Sequence, residues 1–271
     1  MRVIELVPIG PFDALGTGRV SALDTLCRYV SAFFCLPCRV TPGIALRNKI
    51  VGRNARRGDE GQVQLDVADL VAALRARRQP RDVLCRVAVT MADLYIVKDG
   101  VPWNFVFGQA HKMDGLGAFS LSRYHPRGHP VRWPSASACK ARPSTSPRGV
   151  PSEQLLPRAM VEQLSEQELR QLLQRGAKVL THELGHLFGI SHCVHYECLM
   201  CGCNHMQEFD KRPMFLCPID LRKLHSAIGF DIDTRYAQLE ALYCELGWVE
   251  GSTWLRSRRA ELEAATAKTA D

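Results

Sequence analysis

The stretch "HELGHLFGISHC", from His182 to Cys193, gathers three imidazoles, a carboxylate and a thiol within a few turns of chain. On a helix His182 and His186, four residues apart, project from nearly the same face, so one ion can bridge them. Glu183 is rotated by about 100° from His182, outside the metal's first shell but close to a water on it. Gly189 supplies the left-handed conformation in which a helix can stop and the chain turn back, giving His192 access to the same ion. Three neutral imidazoles with one open position describe a catalytic zinc rather than a closed structural one. Such a zinc lowers the pKa of its water from about 16 toward 7 and polarises a carbonyl. Glu183, as general base, would take the water's proton and deliver it to a leaving amine, which is peptide-bond hydrolysis without a covalent intermediate.

These side chains need a rigid helix, and the sequence provides for one. "SEQE" at Ser165 is a capping box, and the apolar periodicity then runs through "LRQLLQRGAKVLTHELGHLFG", with Gly176 a modest weakness inside it. Upstream, "RVIELVPI", "CRVTP" and "VLCRVAVT" read as strands, and "SALDTLCRYVSAFF" and "VADLVAALRAR" as amphipathic helices around a polar connection from Arg47 to Gly61. "NFVFGQA" and "AFSLSRY" follow as a hairpin or meander. The order predicts an α/β layer whose mixed sheet ends in an antiparallel edge strand. Residues 125–157, rich in Pro, Ser and Arg, lack either periodicity and predict a mobile insertion. Pro126 and Pro130 argue against a helix there, so His125 and His129 are expected at the surface rather than as ligands. Downstream, "PIDLRKLHSAIGF" and "TRYAQLEALYCELG" read as closing helices, and residues 251–271 as a polar helical or disordered tail.

With 271 residues and 46% hydrophobic content, the chain can bury a core without disulfide staples. The opening "MRVIELVPIG" reads as a strand rather than a signal peptide, and no apolar run approaches the roughly 20 residues of a membrane helix. The expectation is an intracellular protein, cytoplasmic or nuclear, monomeric and without a membrane partner. The net charge of +7 is dispersed and shows no aromatic-interleaved basic stripe, so no nucleic-acid partner is expected. Of the eleven cysteines, five (Cys193, Cys198, Cys201, Cys203, Cys217) crowd one region, which in a reducing compartment favours metal ligation over disulfides.

H-E-x-x-H-x-x-G-x-x-H is the metzincin signature. Joined to Cys193, then to "CLM" at Cys198 to Met200 and to a later cysteine at Cys217, it resembles the archaemetzincins, a family of zinc metallopeptidases. "MADLYIV", "NFVFGQA" and "AFSLSRY" extend the likeness upstream, to roughly Val83–Phe230. The resemblance implies a metzincin-like zincin fold and two zinc ions. One, catalytic, would sit on His182, His186 and His192; the other, structural, would sit on cysteines and stabilise a small C-terminal subdomain. Met200 would be the methionine of the turn beneath the catalytic metal, with Met206 and Met214 lesser candidates.

The sequence departs from the family at "CPID", where Asp220 stands in place of a second cysteine. Zinc accepts carboxylate oxygen, so Cys193, Cys198, Cys217 and Asp220 can close a tetrahedron. Alternatively, Asp220 merely complements the dipole in the first turn of a helix beginning at Pro218, and Cys201, Cys203 or His205 fills the vacancy, or the second site binds weakly or is lost.

A peptide or protein substrate would bind along the sheet edge as an added strand. By the resemblance that edge is Ala118, Phe119, Ser120, Leu121 and Ser122; the alternative is an ordinary interior strand. The likeness leans toward aminopeptidase-like cleavage of short peptides. The expected organisation is one metallopeptidase domain over 1–250, comprising an N-terminal subdomain over 1–189 and a C-terminal subdomain over 190–250 with the cysteines. The competing functional class is a non-catalytic zinc-binding interaction protein with a vestigial peptidase site.

Overall fold

The run VIELVPI, apolar except at Glu5, forms β1 (Val3–Ile9), buried at every position. A strand this uniformly apolar belongs in the middle of a sheet covered on both faces. The structure, a computed structural model, describes residues 2–10, 12, 21–131, 164–203 and 205–270. In chain order the elements are β1, α1 (Ala22–Phe34), β2 (Cys38–Val40), β3 (Arg56–Arg57), β4 (Val63–Asp66), α2 (Val67–Arg75), β5 (Val83–Thr90), β6 (Asp93–Tyr95), β7 (Val97–Lys98), β8 (Val101–Pro102), β9 (Gly108–His111), β10 (Leu116–Ser120), α3 (Glu166–Leu187), α4 (Met206–Lys211), α5 (Pro218–Ile228), α6 (Ile232–Leu246) and α7 (Val249–Ala270). The main sheet is five-stranded in the order β2-β1-β5-β10-β9, parallel except that β9 runs antiparallel to β10 at the edge. The predicted mixed α/β layer with an antiparallel edge strand is therefore present.

Glu5, the one charge in β1, is held by Arg86 and Arg39, each at 2.7 Å. Burial pushes its pKa up, but hydrogen bonds from the two guanidiniums prevail and hold it below the usual carboxylate value. Ser165 accepts from the Glu168 N–H and the Glu168 carboxylate accepts from the Ser165 N–H, so α3 starts with the expected capping box. Gly176 is no weakness in context. A Cβ there would lie 2.6 Å from a Leu121 methyl, so the missing side chain lets α3 lie close to the residue that follows β10. The C-terminal helices share this core: Tyr243 of α6 stacks on Tyr29 of α1, and Arg235 Nε donates to the Phe33 carbonyl at 2.7 Å.

Two expectations are corrected. Ala118–Ser122 is not the sheet edge. Ala118, Phe119 and Ser120 lie in β10, between β5 and β9, while Leu121 and Ser122 have left the sheet for a short 3-10 turn. The edge is β9, because the chain turns back at Gly115 and lays "GQAH" outside β10. His125 and His129 are buried rather than at the surface, and His129 Nδ1 lies 2.7 Å from the Ser122 hydroxyl. The prolines do prevent a helix, but Val131 accepts from the Val63 N–H and pulls the segment onto β4. The rest of the expected insertion, 132–157, falls outside the described residues. Of the two forms expected of the tail, the structure has the helix, and it is docked: Trp254 of α7 stacks on Phe215 at 3.8 Å, and Arg259 pairs with Asp233 and Glu240.

Candidate metal centre

The helix α3 carries His182 and His186 and ends at Leu187. Gly189 takes a φ of +86°, and the Gly189 and Ile190 N–H groups bond back to the His186 and Gly185 carbonyls. That reversal brings His192 to the other two rings. His182 Nε2 lies 3.1 Å from His186 Nε2 and 3.3 Å from His192 Nε2. A tetrahedral ion with Zn–N bonds of about 2.0–2.1 Å needs its nitrogens ~3.4 Å apart, so the three imidazoles fit zinc. The opposite ring nitrogens are committed elsewhere: His186 Nδ1 lies 2.7 Å from the Ile190 carbonyl and His182 Nδ1 lies 3.0 Å from the Leu199 carbonyl. Arg212 Nη1 also approaches His182 Nδ1, at 3.2 Å. A guanidinium only donates and a carbonyl only accepts. With the proton on Nδ1, the Leu199 bond forms and Nε2 keeps the lone pair a metal needs. Burial holds all three histidines below the usual imidazole pKa, hence neutral at pH 7.

Glu183, one residue along α3, is 7% exposed. Burial pushes its carboxyl up to about 8, opposed by the Arg212 charge. A divalent cation on the adjacent histidines would pull it down again. Gly108, the first residue of β9, has no side chain because Glu183 occupies the space: a Cβ would meet Glu183 Cγ at 2.8 Å and the Ala118 carbonyl oxygen at 2.9 Å. The sheet edge and the carboxylate are therefore in direct contact. Beside them opens a cavity of about 380 Å³, whose walls include Trp103, Phe107, Tyr124, Phe209 and Arg212.

Met200 is fully buried under α3. A Cβ on Gly185 would lie 2.7 Å from Met200 Sδ, so the glycine between Glu183 and His186 admits the thioether. The Met200 carbonyl accepts from the Cys193 N–H at 2.9 Å, which ties this floor to the residue following His192.

That residue begins a second cluster. Cys193, Cys198, Cys217 and Asp220 each offer a ligand atom, all within 4.8 Å of one another. The Cys193–Cys217 sulfurs lie 3.9 Å apart, and Cys198 Sγ lies 3.4 Å from Asp220 Oδ2. A tetrahedral zinc with Zn–S of about 2.3 Å and Zn–O of about 2.0 Å requires ~3.8 and ~3.5 Å, so this set also fits. Cys198 Sγ accepts from the Met200 and Cys217 N–H groups, and Cys217 Sγ from that of Asp220. Burial pushes both thiols up, and these bonds oppose it by favouring the thiolate a metal requires. Both sequence readings of Asp220 hold geometrically. It lies in the first turn of α5, and its second oxygen, Oδ1, accepts from Lys223 at 2.8 Å while Oδ2 faces the sulfurs. The structure does not bring Cys201, Cys203 or His205 into this cluster: Cys201 donates to the Tyr196 carbonyl, Cys203 lines the cavity and His205 faces Glu208. Met206 opens α4 and Met214 receives Gln174, so neither underlies the histidines.

Sequence reasoning missed Arg212 and Tyr124. Arg212, 7% exposed, donates to the Cys201 carbonyl at 2.7 Å and lies over the Phe209 ring, its centre 4.6 Å away. Neither residue belongs to a spaced motif; the packing of Phe209 of α4 on Tyr124, ring centroids 4.5 Å apart, brings them to the cavity that Glu183 also lines.

Residues 153–226 match the model of Peptidase family M54. The chain is 40% identical to Archaemetzincin-2 of Macaca fascicularis over 65% of its own length and 46% of that protein. It is 40% identical to Archaemetzincin-2 of Rattus norvegicus over 87% of its length and 63% of that protein. The chain thus spans about half to three fifths of these curated relatives. Among solved structures, archaemetzincin from Methanopyrus kandleri superposes with a TM-score of 0.50 at 22% identity, over 84% of this chain and 96% of that one. A zinc-dependent peptidase from Methanocorpusculum labreanum superposes at 0.52 and 20% identity, over 82% of this chain and 99% of that one. These likenesses establish the archaemetzincin fold.

Proposed function

We propose, from this chain's kinship with the archaemetzincins of Peptidase family M54, that it is a zinc-dependent metallopeptidase acting on peptides. The observation that carries the reading is the convergence of three Nε2 atoms beside a buried carboxylate that is committed to no other group among the described residues. His182, His186 and His192 would hold the catalytic zinc. Zinc bound there supplies Lewis acidity toward a peptide carbonyl and toward water. Glu183, ionised once a cation sits on the neighbouring histidines, takes a proton from the attacking water and passes it to the leaving amine nitrogen; its burial, which raises its affinity for a proton, suits it to accept one. The substrate backbone binds as a strand along β9, where Gly108 brings it against Glu183. Met200 packs beneath α3 and keeps His182 and His186 in register. Cys193, Cys198, Cys217 and Asp220 would hold a second, structural zinc that pins the same loop. The working unit is one domain over 1–250, with residues 190–250 its metal-stapled C-terminal subdomain. An aminopeptidase-like preference for short peptides rests on the resemblance alone.

Hydrolysis of fluorogenic peptides by zinc-loaded protein tests the reading. Activity should vanish with a chelator and return on adding zinc, and acetylating the peptide N terminus should suppress it. A zinc-loaded protein that cleaves no peptide overturns the proposal in favour of a non-catalytic zinc-binding role. The replacement of a cysteine ligand by Asp220 favours that alternative, but it leaves Glu183 without a purpose.

A further inference from the structure

The cavity beside Glu183 contains more polar chemistry than hydrolysis alone requires. Its wall is aromatic: Phe107, Tyr124 and Phe209 form a three-ring cluster, Tyr124 lying 5.2 Å from Phe107 and 4.5 Å from Phe209 between ring centroids, with Phe107 and Phe209 6.3 Å apart. Yet two buried donors are set into that wall. Tyr124 is completely buried and, among the described residues, its hydroxyl has no hydrogen-bond partner; Arg212 is 7% exposed and its Nε has none among them. The guanidinium is held in place by the Cys201 carbonyl and the Phe209 face, and its contacts among the described residues include no carboxylate. Glu183 acts on it only through space. A buried cation without a counter-ion and a phenol without an acceptor are each unfavourable until an anion with acceptor oxygens arrives. A planar guanidinium beside a phenol suits a carboxylate, and about 380 Å³ accommodates the side chain that bears one.

We propose that this cavity is a specificity pocket for a carboxylate, with Arg212 and Tyr124 as its donors. The carboxylate is borne by an acidic side chain adjoining the cleaved bond or by the free C terminus of a short peptide. The inference rests on the peptidase reading above and deepens it: the preferred substrates are acidic or short at this position.

The test uses hexapeptides matched in pairs, Glu against Gln at each position in turn, each with a free or amidated C terminus. Binding to zinc-loaded Glu183→Gln protein is read by calorimetry, and hydrolysis by wild type in parallel. The Glu peptide at one position, or the free C terminus, should bind at least ~10-fold tighter than its neutral partner, the two arms identifying the source of the carboxylate. Arg212→Gln should abolish that difference. Because Arg212 also ties down the Cys201 loop, Tyr124→Phe, which keeps the ring packing, gives a second reading and should narrow the ratio several-fold while leaving binding of the neutral peptide unchanged. Equal binding of every acidic and neutral pair overturns the pocket even if the wild type hydrolyses them all. A binding preference without hydrolysis overturns the peptidase reading and leaves the pocket standing.

Discussion

Gly108→Ala tests the contact between sheet edge and carboxylate. The new Cβ would lie 2.8 Å from Glu183 Cγ, 2.9 Å from Glu183 Cδ and 2.9 Å from the Ala118 carbonyl oxygen. Ordinary carbon contacts are about 3.5–4.0 Å, so the pair must separate by roughly 0.7–1 Å. The Ala118 carbonyl belongs to the neighbouring strand and cannot retreat without breaking the β9–β10 ladder, so the strain falls on the Gly108 backbone and on Glu183, which must separate. Overpacking of this kind costs about 1–3 kcal/mol of stability. A 1 Å displacement of a reacting group costs on the order of 10²-fold in rate. The atoms nearest this Cβ belong to Glu183 and Ala118 rather than to the histidines, and zinc content should be unchanged. The assay is kcat/KM on a fluorogenic peptide, with metal analysis and thermal unfolding on the same samples. Gly117→Ala is the control, since the closest approach of its Cβ is 3.3 Å, to the Gln109 carbonyl, with Ala110 Cα and a Leu187 methyl at an ordinary 3.8 Å. If Gly108→Ala keeps full kcat/KM while remaining folded and metal-loaded, Glu183 does not act from the position described.

Replacing Asp220 by Asn should lower zinc from about two ions per chain to about one and lower the melting temperature by several degrees, whereas Asp220→Cys should retain both. Equal zinc and equal melting in Asn and wild type would show that the carboxylate is not a ligand. Glu168 supplies a pH test: the Arg127 guanidinium and then the Ser165 N–H hold its carboxyl at about 2, below the ordinary 4.5. A depressed folded pKa contributes stability that is present above the unfolded value and lost as pH falls through the folded one. The deficit of Glu168→Gln in urea unfolding should therefore be constant above about pH 5 and disappear toward pH 2; a deficit independent of pH would refute the ionic origin.

The helix carrying the site was legible because its signals are local. The Ser165–Glu168 box, the spacing of His182 and His186 and the reversal at Gly189 each act within a few residues, and β1 declared its interior place by continuous apolarity. The edge of the sheet was not legible. Both "NFVFGQA" and "AFSLSRY" have strand composition, and only the order β5-β10-β9 decides which lies outside. His125 and His129 looked exposed because proline fixes a turn but says nothing about what the turn packs against; the bond from Val63 to Val131 supplies that. Arg212 and Tyr124 carry no spacing signature because they lie 88 positions apart on elements joined only by tertiary packing. Asp220 was readable in type but not in role, since a first-turn carboxylate and a ligand occupy the same position here.

The central claim is that the three imidazoles hold a metal on which Glu183 acts. Peptide hydrolysis by Glu183→Ala, with zinc quantified in the same preparation, tests it most directly. The account predicts wild-type zinc content with turnover reduced at least ~10³-fold. Turnover within a few-fold of wild type at full zinc occupancy would contradict it.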